Sequence, residues 1–142
     1  MAREIERKYL VVDDAWRSGA VGTVFRQGYL STVKERTVRV RVAGERAYLT
    51  IKGITVGAVR SEFEYEIPRT DADQMLDELC EQPLIEKTRY EIDAGELTWE
   101  IDEFAGANEG LIVAEVELED EAQEIALPDW VGMEVSHDPR YF

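Results

Sequence analysis

The stretch Thr37-Val38-Arg39-Val40-Arg41-Val42 alternates strictly between branched apolar residues and guanidinium groups. Side chains on a β-strand point to opposite faces at every second position, so this segment is a strand with one greasy face and one cationic face. The same period recurs outward in both directions, and it predicts strands at about 3–12, 22–31, 35–43, 46–52, 59–67, 85–93, 96–104 and 110–119, with a weaker one at about 130–136. The links are short. Ala43-Gly44-Glu45 and Ala94-Gly95 read as hairpin turns and Gly53 to Gly57 as a looser loop, which implies antiparallel neighbours.

One helix interrupts the strands. It is expected after Pro68, with Thr70 as cap, Asp73 in the first turn, Met75, Leu76, Leu79 and Cys80 as one apolar face, and Pro83 as the stop. Shorter helical turns are expected at Asp14 to Arg17 and at Glu121 to Ile125, the latter ended by Pro128.

The apolar strand face comprises Ile5, Tyr9, Val38, Val40, Val42, Leu49, Ile51, Phe63, Tyr65, Ile67, Tyr90, Ile92, Trp99, Ile101, Val116 and Leu118, and it is expected to be buried. The alternate face carries Glu4, Glu6 and Lys8, then Arg39 and Arg41, Lys52, Glu62, Glu64 and Glu66, Lys87, Arg89 and Glu91, Glu100 and Asp102, and Glu115, Glu117 and Glu119. An ordinary sheet with one wet face would mix such charges with Thr, Ser and Gln and alternate their signs between neighbours. Here like charges are grouped within strands, an arrangement that repels itself unless something of opposite sign lies between. A barrel of about eight strands that turns this face inward would enclose a ligand, with its apolar outer face covered by helices or by a neighbouring chain. Arg and Lys suit phosphate oxygens, and carboxylates without histidine suit Mg²⁺ or Mn²⁺, so the implied ligand is a metal-bound polyphosphate.

Composition narrows the classes further. The 142 residues are one domain's worth, read here as a single domain over 1–142. With 16 basic and 31 acidic residues the net charge is −15, which repels nucleic acid at long range. A single cysteine, Cys80, makes no internal disulfide, and neither a signal peptide nor a membrane span is visible, so a cytoplasmic setting is expected. A single histidine, His137, leaves no zinc site and no Ser-His-Asp arrangement.

The N-terminal Glu4-Ile-Glu-Arg-Lys8 resembles the E-x-E-x-K signature that opens the CYTH superfamily, the triphosphate tunnel metalloenzymes. Arg26-Gln-Gly-Tyr-Leu30, Arg39-Val-Arg41, Leu49-Thr-Ile-Lys52, Glu62-Phe-Glu-Tyr-Glu66, Glu86-Lys-Thr-Arg89, Glu100-Ile-Asp102, Glu115-Val-Glu117 and Asp138-Pro-Arg-Tyr141 follow in the order of small bacterial members, so the resemblance runs over essentially the whole chain. It implies a mainly β (α+β) fold, a closed eight-stranded antiparallel β-barrel tunnel with a few flanking helices, that hydrolyses or cyclises a triphosphate with a divalent metal.

Carried over by position, Lys8, Arg39, Arg41, Lys52, Lys87 and Arg89 would clamp phosphate oxygens, and Glu4, Glu6 and Glu117, helped by Glu62, Glu64, Asp102 and Glu115, would hold one or two Mg²⁺ or Mn²⁺ ions. Lys8 and Lys87 are the lysines that could assist the leaving oxygen, and Tyr29 occupies a position where relatives place a tyrosine that influences substrate choice. The expected activity is hydrolysis of inorganic triphosphate, with nucleoside triphosphates as weaker substrates. The alternatives are an adenylate cyclase or thiamine triphosphatase of the same superfamily, or a non-catalytic polyphosphate- or nucleotide-binding module. A homodimer partner is one of two ways to cover the outer apolar face. Many relatives continue past the Asp-Pro-Arg-Tyr region with a short tail that can plug one tunnel mouth, whereas this sequence stops at Phe142, which puts closure of that mouth in question.

Overall fold

Strand β1 (Arg3–Val11) is the element on which the sheet closes. In the computed structural model, which describes residues 3–141, it is followed by β2 (Gly22–Ser31), β3 (Thr37–Ala43), β4 (Arg46–Lys52), β5 (Val59–Ile67), helix α1 (Arg69–Glu78), β6 (Ile85–Ala94), β7 (Leu97–Ala105), β8 (Ile112–Glu117) and β9 (Val131–Glu134). The sheet order is β5-β4-β3-β2-β6-β7-β8-β1-β9, and a further β5–β1 pairing closes the first eight strands into an antiparallel barrel. β1 pairs along one edge with β8. Its other edge is divided: Arg3, Glu4 and Ile5 face Ser61, Arg60 and Val59 of β5, and beyond them Tyr9 and Val11 face Glu134 and Val131 of β9. The expectation about the chain end at Phe142 falls outside the described residues.

Period two places the charges inside and the apolar residues outside, where two separate clusters cover them. On one side Ala72, Leu76 and Cys80 of α1 and its C-terminal end pack on Val40, Val42 and Ala47 of β3 and β4. Gly28 makes this approach possible, because a Cβ there would meet Leu84 Cδ2 at 2.7 Å and Cys80 Cβ at 2.9 Å. On the other side Tyr9, Trp99, Ile101, Ala114 and Val116 are covered by Trp16, Leu118 and Trp130 from the connecting segments. Trp99 packs between Tyr9 and Trp130, with ring centroids 5.6 and 5.5 Å away. The β3–β4 hairpin turns at Gly44, whose φ of +61° lies where a side chain is strained.

The nine strands match the expected ones to within two residues at each end. Three expectations are corrected. The helix starts at Arg69 with Pro68 at its N-cap, not with Thr70 as cap: the proline φ of −59° leads directly into the first turn, and its carbonyl accepts from Ala72 N at 3.1 Å. The helix also ends at Glu78, well before Pro83, so Leu79 swings out to 66% exposure while Cys80 continues the buried face. The segment Glu121 to Ile125 is a turn followed by irregular chain rather than a helix. Its carbonyls are taken by Arg7, whose Nη2 donates to Glu121 O at 2.9 Å and Gln123 O at 2.7 Å.

The third correction concerns the outer face. Ile51, Phe63 and Tyr65 are 39, 45 and 59% exposed, because α1 crosses β3 and β4 and does not reach the outer surface of β5. Short 3₁₀ turns at Ala15–Arg17, Gly106–Asn108 and Pro139–Tyr141 complete the chain. Among the described residues no helix is long and apolar enough to cross a membrane.

Candidate active site in the barrel interior

Register decides which side chains meet, since directly paired residues of adjacent strands share a face. Tyr29 lies opposite Arg39, and Gln27 opposite Arg41. Arg39 and Arg41 face Thr50 and Tyr48 of β4, and Lys52 faces Glu62 of β5. Arg89 faces Asp102, Glu100 faces Glu115, and Glu6 faces Glu117. All the expected site residues therefore project from one face of the barrel wall, its interior.

Two polar groups form within it. In the first, β1 meets β4 and β5. Lys52 Nζ lies 3.4 Å from Glu4 Oε1 and 3.3 Å from Glu62 Oε1, and Arg60 Nε donates to Glu4 Oε1 at 3.0 Å. Arg60 Nη2 is also 3.9 Å from Glu6 Oε1. In the second, Asp102 is the hub: Lys87 Nζ donates to its Oδ2 at 2.7 Å, and Arg89 donates to Oδ1 from Nε at 2.7 Å and to Oδ2 from Nη2 at 2.9 Å. Arg89 reaches Glu100 as well, at 3.1 Å. Between the groups Lys8 Nζ sits 3.9 Å from Glu115 and donates to the Tyr141 carbonyl at 2.9 Å, which ties the last turn of the chain to the barrel wall.

Electrostatics separates the carboxyls into two kinds. Burial alone raises the Glu4 pKa, but Lys52 and Arg60 outweigh it and hold this carboxylate down at about 2. Glu115 is likewise held at about 2 against its burial, by Lys8, Arg89 and Lys87. Glu6 moves the other way, up to about 8, through burial and the neighbouring charges of Glu115 and Glu4. Glu62 is raised by burial and by its hydrogen bond to Glu4. So two pairs, Glu6 with Glu115 and Glu4 with Glu62, each keep one carboxyl toward its neutral form while hydrogen-bonded to an ionised partner.

Such pairs suit a hard divalent cation, whose charge would take the place of the shared proton and whose preferred ligands are oxygens. Among the described residues no three acidic, histidine or cysteine side chains are already gathered as a metal cage, since Lys52, Arg60 and Lys8 engage the same carboxylates. Glu64 accepts from Thr50 Oγ1 at 3.1 Å and lies 3.9 Å from Arg39, and Glu117 is exposed at the rim.

Several interior residues escape the sequence reading, Tyr48 and Phe104 among them. Arg60 stands two positions before Glu62, so the strand alternation already puts it on the charged face. Phe25 and Gln27 share their parity with Tyr29, but an aromatic in a strand reads first as packing. Thr50 is fully buried and bridges Arg39 to Glu64, a role no pattern announces. Conversely Arg26, part of the Arg26-Gln-Gly-Tyr-Leu30 motif, points outward and binds Asp73 and Asp77 of α1 at 3.4 and 2.6 Å. At one mouth the interior opens into a pocket of about 490 Å³ lined by residues 18–21 and by Phe25, Arg89, Glu91 and Ile92.

The chain and its fold have counterparts among known proteins. The chain is 51% identical over 141 residues to an inorganic triphosphatase of Acetivibrio thermocellus, covering 99% of this chain and 90% of that one. It is 40% identical over 144 residues to an inorganic triphosphatase of Nitrosomonas europaea, covering 97% and 92%. Among solved structures, that of the inorganic triphosphatase NE1496 superposes with a TM-score of 0.67 at 36% identity, covering 100% of this chain and 92% of the other. The CYTH domain family matches residues 2–142, and with that match, the barrel and its two-signed interior in agreement, the chain belongs to the CYTH domain family.

Proposed function

We propose that this protein is a metal-dependent inorganic triphosphatase that cleaves tripolyphosphate to pyrophosphate and phosphate within its barrel, acting as one domain over 1–142. The observation that carries the reading is the convergence of Arg39, Arg41, Lys52 and Lys87, all buried, from three strands onto one interior. Buried cations at this density repel one another unless an anion joins them, and the repeating oxygens of a polyphosphate chain are matched to guanidinium and ammonium donors. The two inorganic triphosphatases at 51 and 40% identity support this substrate over the cyclase and thiamine triphosphatase alternatives.

In the proposed reaction the clamp bases, with Lys8 and Arg89, hold the phosphates in line and offset charge on the departing pyrophosphate. A water at the acidic end, oriented by carboxylate oxygens, attacks the terminal phosphorus and gives its proton to a carboxylate there, and the bond from that phosphorus to the bridging oxygen breaks. Lys87 supports a role as proton donor to that oxygen: burial, with Arg89 and Arg41 beside it, draws its ammonium down to about 8 despite Asp102, so it releases a proton more readily than an exposed lysine. Lys8 is the second lysine in reach of the phosphates, and Tyr29, opposite Arg39, is assigned to substrate choice. Glu4, Glu6 and Glu117 with Glu62, Glu64, Asp102 and Glu115 are the oxygen ligands for a divalent ion, Mg²⁺ or Mn²⁺. That ion, when bound, neutralises phosphate charge and lowers the pKa of water.

The test is phosphate release from inorganic triphosphate, ATP and thiamine triphosphate, each with Mg²⁺, Mn²⁺ or chelator, with cyclic AMP assayed in parallel. Fast release from inorganic triphosphate that chelator abolishes is expected. Preferred turnover of thiamine triphosphate, or cyclic AMP from ATP, would reassign the substrate. Binding of triphosphate without turnover would make the barrel a binding module.

A further inference from the structure

Five of the six proposed clamp bases have a carboxylate within 4 Å: Lys8 has Glu115, Arg39 has Glu64, Lys52 has Glu4 and Glu62, and Lys87 and Arg89 share Asp102. Arg41 is the exception. Among the described residues no acidic group pairs with it, although it is 9% exposed and stands near Arg39 and Arg89. Burial and those two like charges all work against its charged form. Asp102 and Glu115 favour its charge from beyond ion-pair distance, and the groups that touch it are neutral and come from β2. Arg41 Nε donates to Gln27 Oε1 at 2.8 Å, and its guanidinium carbon lies 4.7 Å from the centre of the Phe25 ring.

The same ring serves two more bases. Arg89 lies over it at 4.8 Å, and the Lys87 ammonium is 5.8 Å from its centre. An aromatic face attracts cations through its quadrupole, and this attraction uses none of their N–H donors. At Arg41 a carboxylate in the same place would occupy those donors and cancel the charge that a phosphate must meet, as Asp102 does in part for Lys87 and Arg89. Phe25 is itself buried, on the interior face of β2, opposite Lys87 in register. On that face its register partners are Ala43 and Lys87, and three cations lie against the ring, of which Lys87 is also 5.4 Å from the Phe104 ring.

We propose that Phe25 is a positioning residue for triphosphate binding: its ring gathers Arg41, Arg89 and Lys87 from two different strands and, at Arg41, steadies a guanidinium whose donors other than Nε are left for phosphate. Gln27 completes the cradle by fixing one edge of Arg41, which turns the remaining guanidinium N–H groups toward the lumen. The assignment rests on the triphosphatase reading of the same site.

The experiment compares wild type with Phe25→Leu, which keeps apolar bulk and removes the ring, and Phe25→Tyr, which keeps the ring. Two measurements are made on the full chain: calorimetric binding of sodium tripolyphosphate in chelator, and steady-state hydrolysis with Mg²⁺. Phe25→Leu is expected to weaken tripolyphosphate binding and raise KM by about threefold to tenfold, with kcat within about twofold, as loss of a buried cation–π contact implies. Phe25→Tyr is expected to restore both. Should Phe25→Leu fail to fold, fluorinated phenylalanines at position 25 keep the ring's shape while draining its negative face, and affinity is expected to fall stepwise with fluorine count. Affinity within twofold of wild type in Phe25→Leu, or unchanged across the fluorine series, overturns the assignment while leaving the triphosphatase reading standing. Wild type that neither binds nor cleaves tripolyphosphate overturns that reading and the assignment with it.

Discussion

Arg60 and Glu4 face each other as register partners across the β5–β1 seam, and the Arg60 Nε–H donates to Glu4 Oε1 at 3.0 Å. The pair that closes the barrel thus also occupies a carboxylate assigned to metal. Arg60→Gln is expected to tighten Mn²⁺ binding to the substrate-free protein, since a divalent cation would no longer compete with the guanidinium for Glu4 and Glu6. The same change should lower stability by about 1–3 kcal/mol, because the seam loses a half-buried ion pair. Calorimetric Mn²⁺ titration and urea unfolding in chelator measure the two effects, and unchanged Mn²⁺ affinity would separate Arg60 from the metal site.

Glu6 predicts a pH signature. Its folded pKa is raised to about 8 while the unfolded carboxyl sits near its ordinary 4.5, so the folded state holds this proton more tightly. Its contribution to stability is therefore complete below about pH 4.5 and is lost progressively as pH rises toward 8. Glu6→Gln, which carries no ionisable proton, should melt higher than wild type at pH 9 in chelator, by roughly 3–8 °C, and show little advantage at pH 5. Metal-dependent turnover should be lost at both. A gain independent of pH would place the Glu6 carboxyl in an ordinary solvated environment.

Asp102, 1% exposed, is the carboxylate shared by Lys87 and Arg89, the latter also paired with Glu100. Asp102→Asn leaves two buried cations without their shared anion and should cost about 3–5 kcal/mol of stability by urea unfolding. Tripolyphosphate would supply the missing negative charge, so the added ligand should stabilise this variant more than it stabilises wild type. Equal stabilisation of the two would argue that the ligand does not reach these bases.

Arg39 carries a buried Nε without a hydrogen-bond partner, and its contacts with Thr50 and Glu64 are long, 3.4 and 3.9 Å. A guanidinium left so loosely satisfied is poised for phosphate oxygens. Arg39→Ala is expected to raise KM for triphosphate by about tenfold or more, and Arg39→Lys to recover only part of the loss, because an ammonium cannot make the two-pronged contact. Kinetics identical to wild type in both variants would remove Arg39 from the clamp.

On the outer wall, Leu76 is fully buried against β3 and β4 while Leu79 of the same apolar run is exposed. Leu76→Ala should cost about 2–5 kcal/mol and Leu79→Ser almost nothing, with kcat retained in each at temperatures where the chain is folded. Comparable losses for the two would mean that the helix continues through Leu79 in solution.

Alternation with period two was enough to read nine strands, their antiparallel order and the sorting of charge to one face, because side-chain direction along a strand is a local property of the backbone. Local rules failed at the ends of α1 and at Glu121 to Ile125, where long-range partners intervene: Arg7 of β1 takes carbonyls that a helix would have used. They failed too on the outer surface of β5, where burial depends on how far α1 extends across the wall, so Phe63 and Tyr65 stay in water.

The sequence by itself determined that the chain folds as a β-barrel with basic and acidic side chains on one face, and its ordered motifs pointed to the family. Pairing within that face was decided by the tertiary structure alone. Closing β1 against β5 sets Arg60 beside Glu4, and the β2–β3 and β2–β6 registers set Phe25 beneath Arg41 and Arg89. Which carboxyl keeps its proton and which base stands without an acidic partner depend on distances of a few ångströms between strands remote in sequence. Coulomb and desolvation energies at such separations change steeply with distance and burial, and no one-dimensional pattern records either.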